Sequence, residues 1–353
     1  MDPLRRARRG SSKVEVTRLG ASNVEVTRLG SGNVEVTRLG FGAAPIGNLF
    51  TRVADDDAAA AVHAAWDAGV RFFDTAPLYG HGLSEQRLGT ALRAHARDEY
   101  VLATKVGRLL VPDVVKNDDG FVDTPPVGWT YDFSHDATLR SLDESLARLG
   151  TDRVDLLHVH DPDDHADDAL RGALPALEKL REQGVIRAIG AGMNQSALLA
   201  RFVREADVDC VLLAGRYTLL DQSGLDDLLP LCEERGVSVI AGGVFNSGIL
   251  ADPSLHATYD YVPAPPELVE RARRLAEICA RHGVDLKAAA LRFPLAHPAV
   301  ACVLTGARSA SEMAQNARLL ARPIPPALWD DLRRERLLDD RVPTPSSEHE
   351  VAG

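Results

Sequence analysis

Cysteine is scarce and scattered: Cys210, Cys232, Cys279 and Cys302 are the only four in 353 residues, and no two form a Cys-x-x-Cys pair. That spacing argues against a zinc knuckle and a disulfide framework, and leaves four reduced core residues as the expectation. Long apolar runs are missing too, since none approaches the roughly 20 residues of a membrane span. Met1–Gly10 carries four arginines without the apolar stretch of a secretory signal. It reads as a solvated tail on a cytoplasmic protein. Positive charge is in deficit, 40 Lys and Arg against 51 Asp and Glu for a net charge of -11. No basic field exists to gather phosphates, so neither a nucleic acid nor a membrane is an expected partner. What is present, 45% hydrophobic and 26% charged residues, can build a sizeable core. Small-molecule chemistry is the expectation, on a chain that is a monomer by default.

A ten-residue period opens the chain. Val14-Glu15-Val16-Thr17-Arg18-Leu19-Gly20 recurs at Val24–Gly30 and again at Val34–Gly40. Three copies are too few to stack a solenoid, so the first two read as a duplicated tail over residues 1–33. The third copy leads into an apolar segment where a domain over residues 34–337 begins, and residues 338–353 read as a polar C-terminal tail. Within the domain, eight short apolar runs alternate with amphipathic segments. The runs are Leu39–Ala43, Arg71–Asp74, Val101–Lys105, Val154–His160, Ile186–Ala191, Cys210–Ala214, Val237–Ala241 and Val300–Leu304. Gly69, Gly150, Gly184, Gly236 and Gly283 stand where the intervening helices would end. Eight strand-helix units in series predict an α/β protein, a single (β/α)8 TIM barrel, whose active site lies at the C-terminal ends of the strands.

Four polar residues fall at those ends. Asp74 closes the second strand, Tyr79 follows in Asp74-Thr75-Ala76-Pro77-Leu78-Tyr79, Lys105 closes the third, and His160 closes the fourth. Singly, each reads as a cap, a rim aromatic, a surface charge or a core histidine. Together, at one barrel mouth, they are a coherent acid-base set. A tyrosine is a poor acid or base near neutrality; an ammonium beside it favours the phenolate, and a carboxylate keeps that ammonium charged. A neutral imidazole can orient the reacting oxygen. Such a set suits hydride transfer at a carbinol or carbonyl carbon.

With these residues the chain resembles the aldo-keto reductases, whose Asp, Tyr, Lys and His tetrad matches Asp74, Tyr79, Lys105 and His160 in order and strand position. Gly69-Val70-Arg71-Phe72-Phe73-Asp74-Thr75-Ala76 with Tyr79-Gly80 and Ser84-Glu85 is similar to the family signature. Leu212–Leu220, Asn246-Ser247-Gly248-Ile249-Leu250 and His160-Asp161-Pro162-Asp163 resemble the branch that oxidises L-fucose and other D-threo-aldoses at C1 to lactones. The resemblance implies an oxidoreductase taking a small sugar or carbonyl substrate, with NAD or NADP as cofactor and no metal.

Cofactor contacts implied by the resemblance begin with Asn194, matching the asparagine that holds the carboxamide. The serine before it is replaced by Gly192-Met193, the glutamine of the sixth strand by Ala214, and the stacking tyrosine by Gly242. Arg216, Tyr217 or Phe245 stand near enough in sequence to compensate. Further contacts are implied at Asn246, Ser247, Gly248, Leu250, Gly306, Arg308, Ser309, Glu312, Gln315 and Asn316. Arg308, with the amides that open the following helix, can hold a phosphate. Four residues before Asn316, where NADP-preferring members carry an arginine, stands Glu312, whose charge opposes a 2'-phosphate and favours NAD. Phe245, Trp129 and Tyr131 are candidate substrate contacts; the last two either stack on a sugar face or brace the loop that carries them.

Other readings fit less of the chain. Gly190-Ala191-Gly192 with Asp209 imitates a dinucleotide fingerprint, and is expected instead to form a tight turn at the barrel mouth. His158 and His160 with Asp161, Asp163, Asp164 and His165 suggest a metal hydrolase, but the later strands end without further ligands. His158 is expected one layer below His160. Lys105 as a Schiff-base lysine would make an aldolase, and leaves Tyr79, Arg308 and Glu312 without roles. The branch also leaves open a pyridoxal 4-dehydrogenase, a general NADPH-dependent reductase, or a weakly active nucleotide-binding subunit that senses redox state.

Overall fold

The computed structural model describes residues 16–18, 25–30, 34–112, 119–254 and 256–345. Three short strands come first, β1 (Val16–Arg18), β2 (Glu25–Arg28) and β3 (Glu35–Thr37), one from each copy of the repeat. They pair antiparallel, and the register itself repeats: Val16 faces Thr27 as Val26 faces Thr37.

The eight strands of the barrel are β4 (Leu39–Gly42), β5 (Phe72–Asp74), β6 (Val101–Val106), β9 (Leu156–His160), β10 (Ala188–Met193), β11 (Cys210–Ala214), β12 (Ser238–Gly242) and β15 (Val300–Thr305). All pair parallel and close, β15 returning to β4. Each falls within about two residues of a predicted run. Between β6 and β9 a hairpin, β7 (Arg108–Pro112) and β8 (Val127–Tyr131), folds over the mouth; β13 (Thr258–Tyr259) and β14 (Val262–Pro263) form a second small ribbon.

The outer ring comprises α1 (Asp55–Asp67), α2 (Leu83–Leu92), α3 (His135–Leu149), α4 (Ala166–Asp168), α5 (Leu174–Glu182), α6 (Ser196–Glu205), α7 (Leu228–Arg235), α8 (Pro266–Arg281), α9 (Leu286–Arg292), α10 (Ala310–Leu320) and the added α11 (Pro326–Arg334). Local chemistry sets many of the ends. Three acids, Asp55, Asp56 and Asp57, occupy the first turn of α1, where the helix dipole favours negative charge. Ser134 caps α3 by accepting from the Ala137 amide, and Gly150 ends it in the left-handed conformation. The helical stretch that follows β9 is interrupted: a π turn, Ala169–Ala173, joins α4 to α5 just ahead of Pro175, which has no N–H to donate.

Two apolar layers follow. One lies between sheet and helices; the other fills the barrel with Phe72, Ala103, Leu156, Ala188, Cys210, Ile240 and Cys302. Leu29, Val34 and Val36 belong to the inner layer, and here the structure departs from the expected N-terminal tail. The second repeat copy plugs the barrel floor. Val26 and Leu29 are buried, the Thr27 hydroxyl donates to Ala301 O at 3.2 Å, and the Gly30 amide donates to Ser238 Oγ at 2.8 Å. At the other end, Leu338 and Val342 are buried and Arg333 bonds the Val342 carbonyl, so the C-terminal segment packs beyond residue 337. Residues 346–353 of that expected tail, and most of residues 1–24, lie outside the described residues.

The repeated register has a testable consequence. Deleting residues 21–30 removes one full period and leaves the first copy in position to become the plug. Melting temperature and activity should hold to within about 2 °C and twofold of the parent. Deleting residues 11–30, which leaves only the third copy, should lower the melting temperature markedly. Equal loss in both deletions would show that the copies are not interchangeable.

Candidate active site

Asp74 and His160 are the last residues of β5 and β9, and Lys105 is the second-last of β6, so parallel pairing brings all three to one end of the barrel. Tyr79 comes from the loop between β5 and α2. That loop is pinned: Ser84 Oγ lies 2.9 Å from Thr75 Oγ1 and donates to Ala43 O at 2.8 Å. Gly80 sits at φ 64° with Gly47 O only 2.3 Å from where a Cβ would stand, so only glycine can hold Tyr79 in this turn.

Lys105 Nζ donates to Asp74 Oδ1 at 2.5 Å and to Thr75 O at 2.8 Å, and lies 4.7 Å from the Tyr79 ring centroid. The side chains of Lys105 and Asp74 are each 1% exposed. The Tyr79 and His160 rings meet edge to face, 5.6 Å apart. Burial pushes the Asp74 carboxyl up while Lys105 pulls it back. Burial also raises the Tyr79 phenol well above its ordinary value, and Asp74 and Asp161 add to the rise.

The rise reverses the expectation that Lys105 draws Tyr79 toward phenolate. Burial outweighs the ammonium, which is paired with Asp74 in direct contact. Tyr79 therefore stands as a phenol, a proton donor to a carbonyl. His160 is held well below the usual imidazole range by burial, with Arg108 and Lys105 adding to it, so it is neutral.

His158 lies deeper, its Nε2 4.0 Å from Asp74 Oδ2. Gly190 faces it across β9 and β10, where a Cβ would come within 2.2 Å of His158 Nδ1. Gly190-Ala191-Gly192 is thus the interior of β10 and not a turn, glycine at 190 being required by the imidazole opposite. Asp209, its supposed partner, accepts from the Ile189 amide and from Arg181 at the far end of the barrel. Among the described residues no group of three or more His, Cys, Asp or Glu converges as a metal site. All four cysteines are buried and unpaired.

Beside the tetrad opens a cleft of about 370 Å3. Gly306, Arg308, Glu312 and Asn316 form one wall, and Phe245, Ser247, Gly248 and Lys287 the other. Phe50 and Tyr261, both about half exposed, meet over its mouth with centroids 5.4 Å apart. The cleft fits a dinucleotide: Arg308 Nε is buried without a partner, and α10 starts alongside with Ser309 as its cap. Glu312 Oε2 accepts from the Arg308 amide at 2.7 Å and places a negative charge in the same wall.

The remaining expected contacts do not line the cleft. Arg216 is clamped by Asp260 at 2.6 Å. Tyr217 is a core residue, 1% exposed and packed on Phe293, and Leu250 is fully buried. Asn246 is buried, donating to Gly215 O and accepting from Thr218, which shapes the turn beneath the cleft. Gln315 holds Lys287 Nζ at 2.5 Å. Asn194 is half-buried just past the end of β10. Of the three residues offered for the nicotinamide face, the structure brings only Phe245 to the cleft wall.

Trp129 and Tyr131, on β8, have the guanidinium of Arg108 over their rings, 4.6 Å and 5.1 Å from the centroids. Arg108 in turn donates to Asp161 Oδ2 at 2.9 Å. Arg108, Lys287, Phe50 and Tyr261 were not singled out in the sequence, and Asp161 only within the His160-Asp161-Pro162-Asp163 motif and as a metal ligand. For Asp161 a signal existed, since it directly follows His160.

Residues 38–334 match the aldo/keto reductase family. A D-threo-aldose 1-dehydrogenase from Pseudomonas sp is 46% identical over 312 residues, 86% of this chain and 94% of its own. A pyridoxal 4-dehydrogenase from Microbacterium luteolum is 42% identical over 317 residues, 84% of this chain and 92% of its own. Among solved structures, an aldo-keto reductase from Bacillus halodurans in its holo form aligns at TM-score 0.71 and 26% identity, covering 92% of this chain and 99% of its own.

Proposed function

Because the chain belongs to the aldo/keto reductase family, whose members are oxidoreductases that use nicotinamide cofactors, we propose that it oxidises the C1 hydroxyl of a D-threo-aldose such as L-fucose or D-arabinose to the lactone, with NAD as acceptor. The 46% identity to a D-threo-aldose 1-dehydrogenase over most of both chains carries the substrate class. A bound nicotinamide would supply the acceptor for the C1 hydride. The phenolate form of Tyr79, the minor one near neutrality, removes the proton of the C1 hydroxyl, and neutral His160 donates a hydrogen bond that orients the same oxygen. Lys105 and Asp74 fix the Tyr79 ring from below. In the cleft, Arg308 and the opening amides of α10 would hold a phosphate, and Gly306, Ser247, Gly248 and Asn316 would line the rest.

Pyridoxal is the second reading, carried by the 42% identity to its 4-dehydrogenase. Both substrates close to a cyclic hemiacetal, and both give a lactone when its carbinol carbon is oxidised. An absorbance assay of reduced nicotinamide with L-fucose, D-arabinose, pyridoxal and a simple aldehyde, each with both cofactors, separates the readings. NADH production with a free aldose is the expected result. Turnover of pyridoxal alone supports the second reading, and NADPH consumption with the aldehyde alone supports a general reductase. Silence throughout would leave a nucleotide-binding subunit. Glu312→Arg should shift the NADP to NAD preference by about 10²-fold, because it exchanges repulsion of a 2'-phosphate for a charge-assisted contact. An unchanged ratio would remove Glu312 from coenzyme choice.

A further inference from the structure

The ion pair of Arg108 and Asp161 stands beside the reacting groups and shifts their proton affinities, but no proton-transfer step passes through it. Asp161 Oδ2 lies 3.5 Å from His160 Nε2 and 2.9 Å from Arg108 Nη2. The Asp161 side chain is 29% exposed and that of Arg108 only 12%. Arg108 Nε is buried with no partner. Asp161 takes a left-handed φ of 38° immediately after β9, while its amide donates to Gly192 O at 3.0 Å. A non-glycine residue held in that region beside a catalytic histidine is strain of the kind that active sites retain.

The surroundings are built around the pair. Arg108 is held over Trp129 and Tyr131, and the Tyr131 ring packs on His165, 4.8 Å between centroids. Trp129 Nε1 donates to Asp119 Oδ2 at 2.8 Å, and that oxygen also meets His81 Nε2 at 2.8 Å. The aromatic residues thus hold a cation in place rather than offering free faces to a sugar. A partly desolvated ion pair is weak evidence for stability, since apolar residues of similar size commonly serve as well. A pair kept beside the reacting oxygen suits recognition.

We propose that Asp161 and Arg108 read the C2 hydroxyl of the bound aldose, Asp161 accepting its proton in a hydrogen bond and Arg108 donating to its oxygen. The inference rests on the aldose reading. C1 has two ring neighbours: the ring oxygen, which can only accept, and C2, whose hydroxyl can also donate. A carboxylate can only accept and a guanidinium only donate, so C2–OH is the neighbour that satisfies both. With the C1 oxygen between Tyr79 and His160, the adjacent hydroxyl reaches the carboxylate that lies next to His160. Asp161 and Arg108 are then specificity-determining residues, and Trp129 and Tyr131 position Arg108.

The test compares kcat/KM for L-fucose and 2-deoxy-L-fucose in the wild-type enzyme and in Asp161→Ala. The wild type should favour L-fucose by about 10²-fold or more, because its charged partners are left unpaired by the deoxy sugar. Asp161→Ala should lose most of its rate on L-fucose and little on the deoxy sugar, so that the ratio falls to within about threefold of one. Asp161→Asn, which keeps the shape, should give an intermediate ratio, and serves if the alanine variant fails to fold. Equal losses on both sugars would mean that Asp161 acts through His160 or through structure, and would overturn the proposal while leaving aldose oxidation intact. A wild-type enzyme that oxidises neither sugar would overturn the aldose reading and this pairing with it.

Discussion

Tyr79→Phe should lower kcat for aldose oxidation by about 10³-fold while leaving the dissociation constant of the nicotinamide cofactor within about twofold, the range expected when one proton-transferring group is lost. The substitution isolates the hydroxyl. The ring contacts with Lys105, His160 and Phe121 are made by carbon and survive in phenylalanine. Stability should therefore change little, and cofactor binding, governed by the neighbouring cleft, should not follow the loss of rate. Steady-state kinetics with cofactor titration by fluorescence quenching checks both. Retention of kcat within tenfold would take the proton transfer away from Tyr79.

The electrostatics give this prediction a pH signature. Oxidation needs Tyr79 to accept a proton, yet burial, Asp74 and Asp161 all raise its phenol well above the ordinary value. Below that value the competent phenolate is the minor form, so oxidation should rise about tenfold per pH unit through neutrality. Reduction uses the phenol as donor and should not require that rise. His160 contributes no limb near neutrality, because burial, Arg108 and Lys105 hold its imidazole neutral far into acid. The residual rate of Tyr79→Phe should lose the slope.

The barrel and its tetrad were legible because they rest on local patterns. Eight apolar runs punctuated by glycine specify parallel strands, and a polar residue closing such a run must emerge at the mouth. What escaped depends on distant contacts. The three repeat copies are identical in sequence, so nothing within them marks the second as the plug; only the barrel floor, through Ala301 and Ser238, does so. α9 has seven residues, five of them buried, and thus lacks the contrast between faces that reveals a helix. Arg108 is one of 40 cationic residues, and becomes distinctive only when β7 and β8 fold back over His160. Leu250 adjoins the cleft residue Ala251 and Tyr217 follows the end of β11 by three residues, yet both are buried in the core. The sign of the Tyr79 shift also lay out of reach, because it is set first by burial, with Asp74 and Asp161 adding to it, and burial is a property of the folded site.

Lys105→Met should be the most destabilising single change at the site, costing about 3–5 kcal/mol near neutral pH. It leaves Asp74 fully buried with its Oδ1 partner gone, and its Oδ2 has only His158 at 4.0 Å. The cost should depend on pH in a definite direction. Burial already raises the Asp74 carboxyl, and loss of Lys105 removes the term that opposes the rise. A carboxyl raised in the folded state is fully accommodated below its unfolded value and becomes destabilising as pH climbs through the folded one. The difference between variant and wild type should thus shrink toward pH 4 and grow toward pH 8. Lys105 also helps to hold His158 and His160 neutral, so its removal eases their protonation and narrows the difference further on the acid side. Urea unfolding at the two pH values measures it, and a pH-independent difference would place the loss in packing instead of charge. Adding Asp74→Asn to Lys105→Met removes the stranded carboxylate and should recover most of the stability, since the two positions share one contact and do not act additively. It should recover none of the turnover, because Tyr79 then has neither the cation beneath its ring nor the carboxylate that held it. Stability regained without activity would identify the buried pair as retained for proton transfer, at a site where an uncharged pair would fold as well.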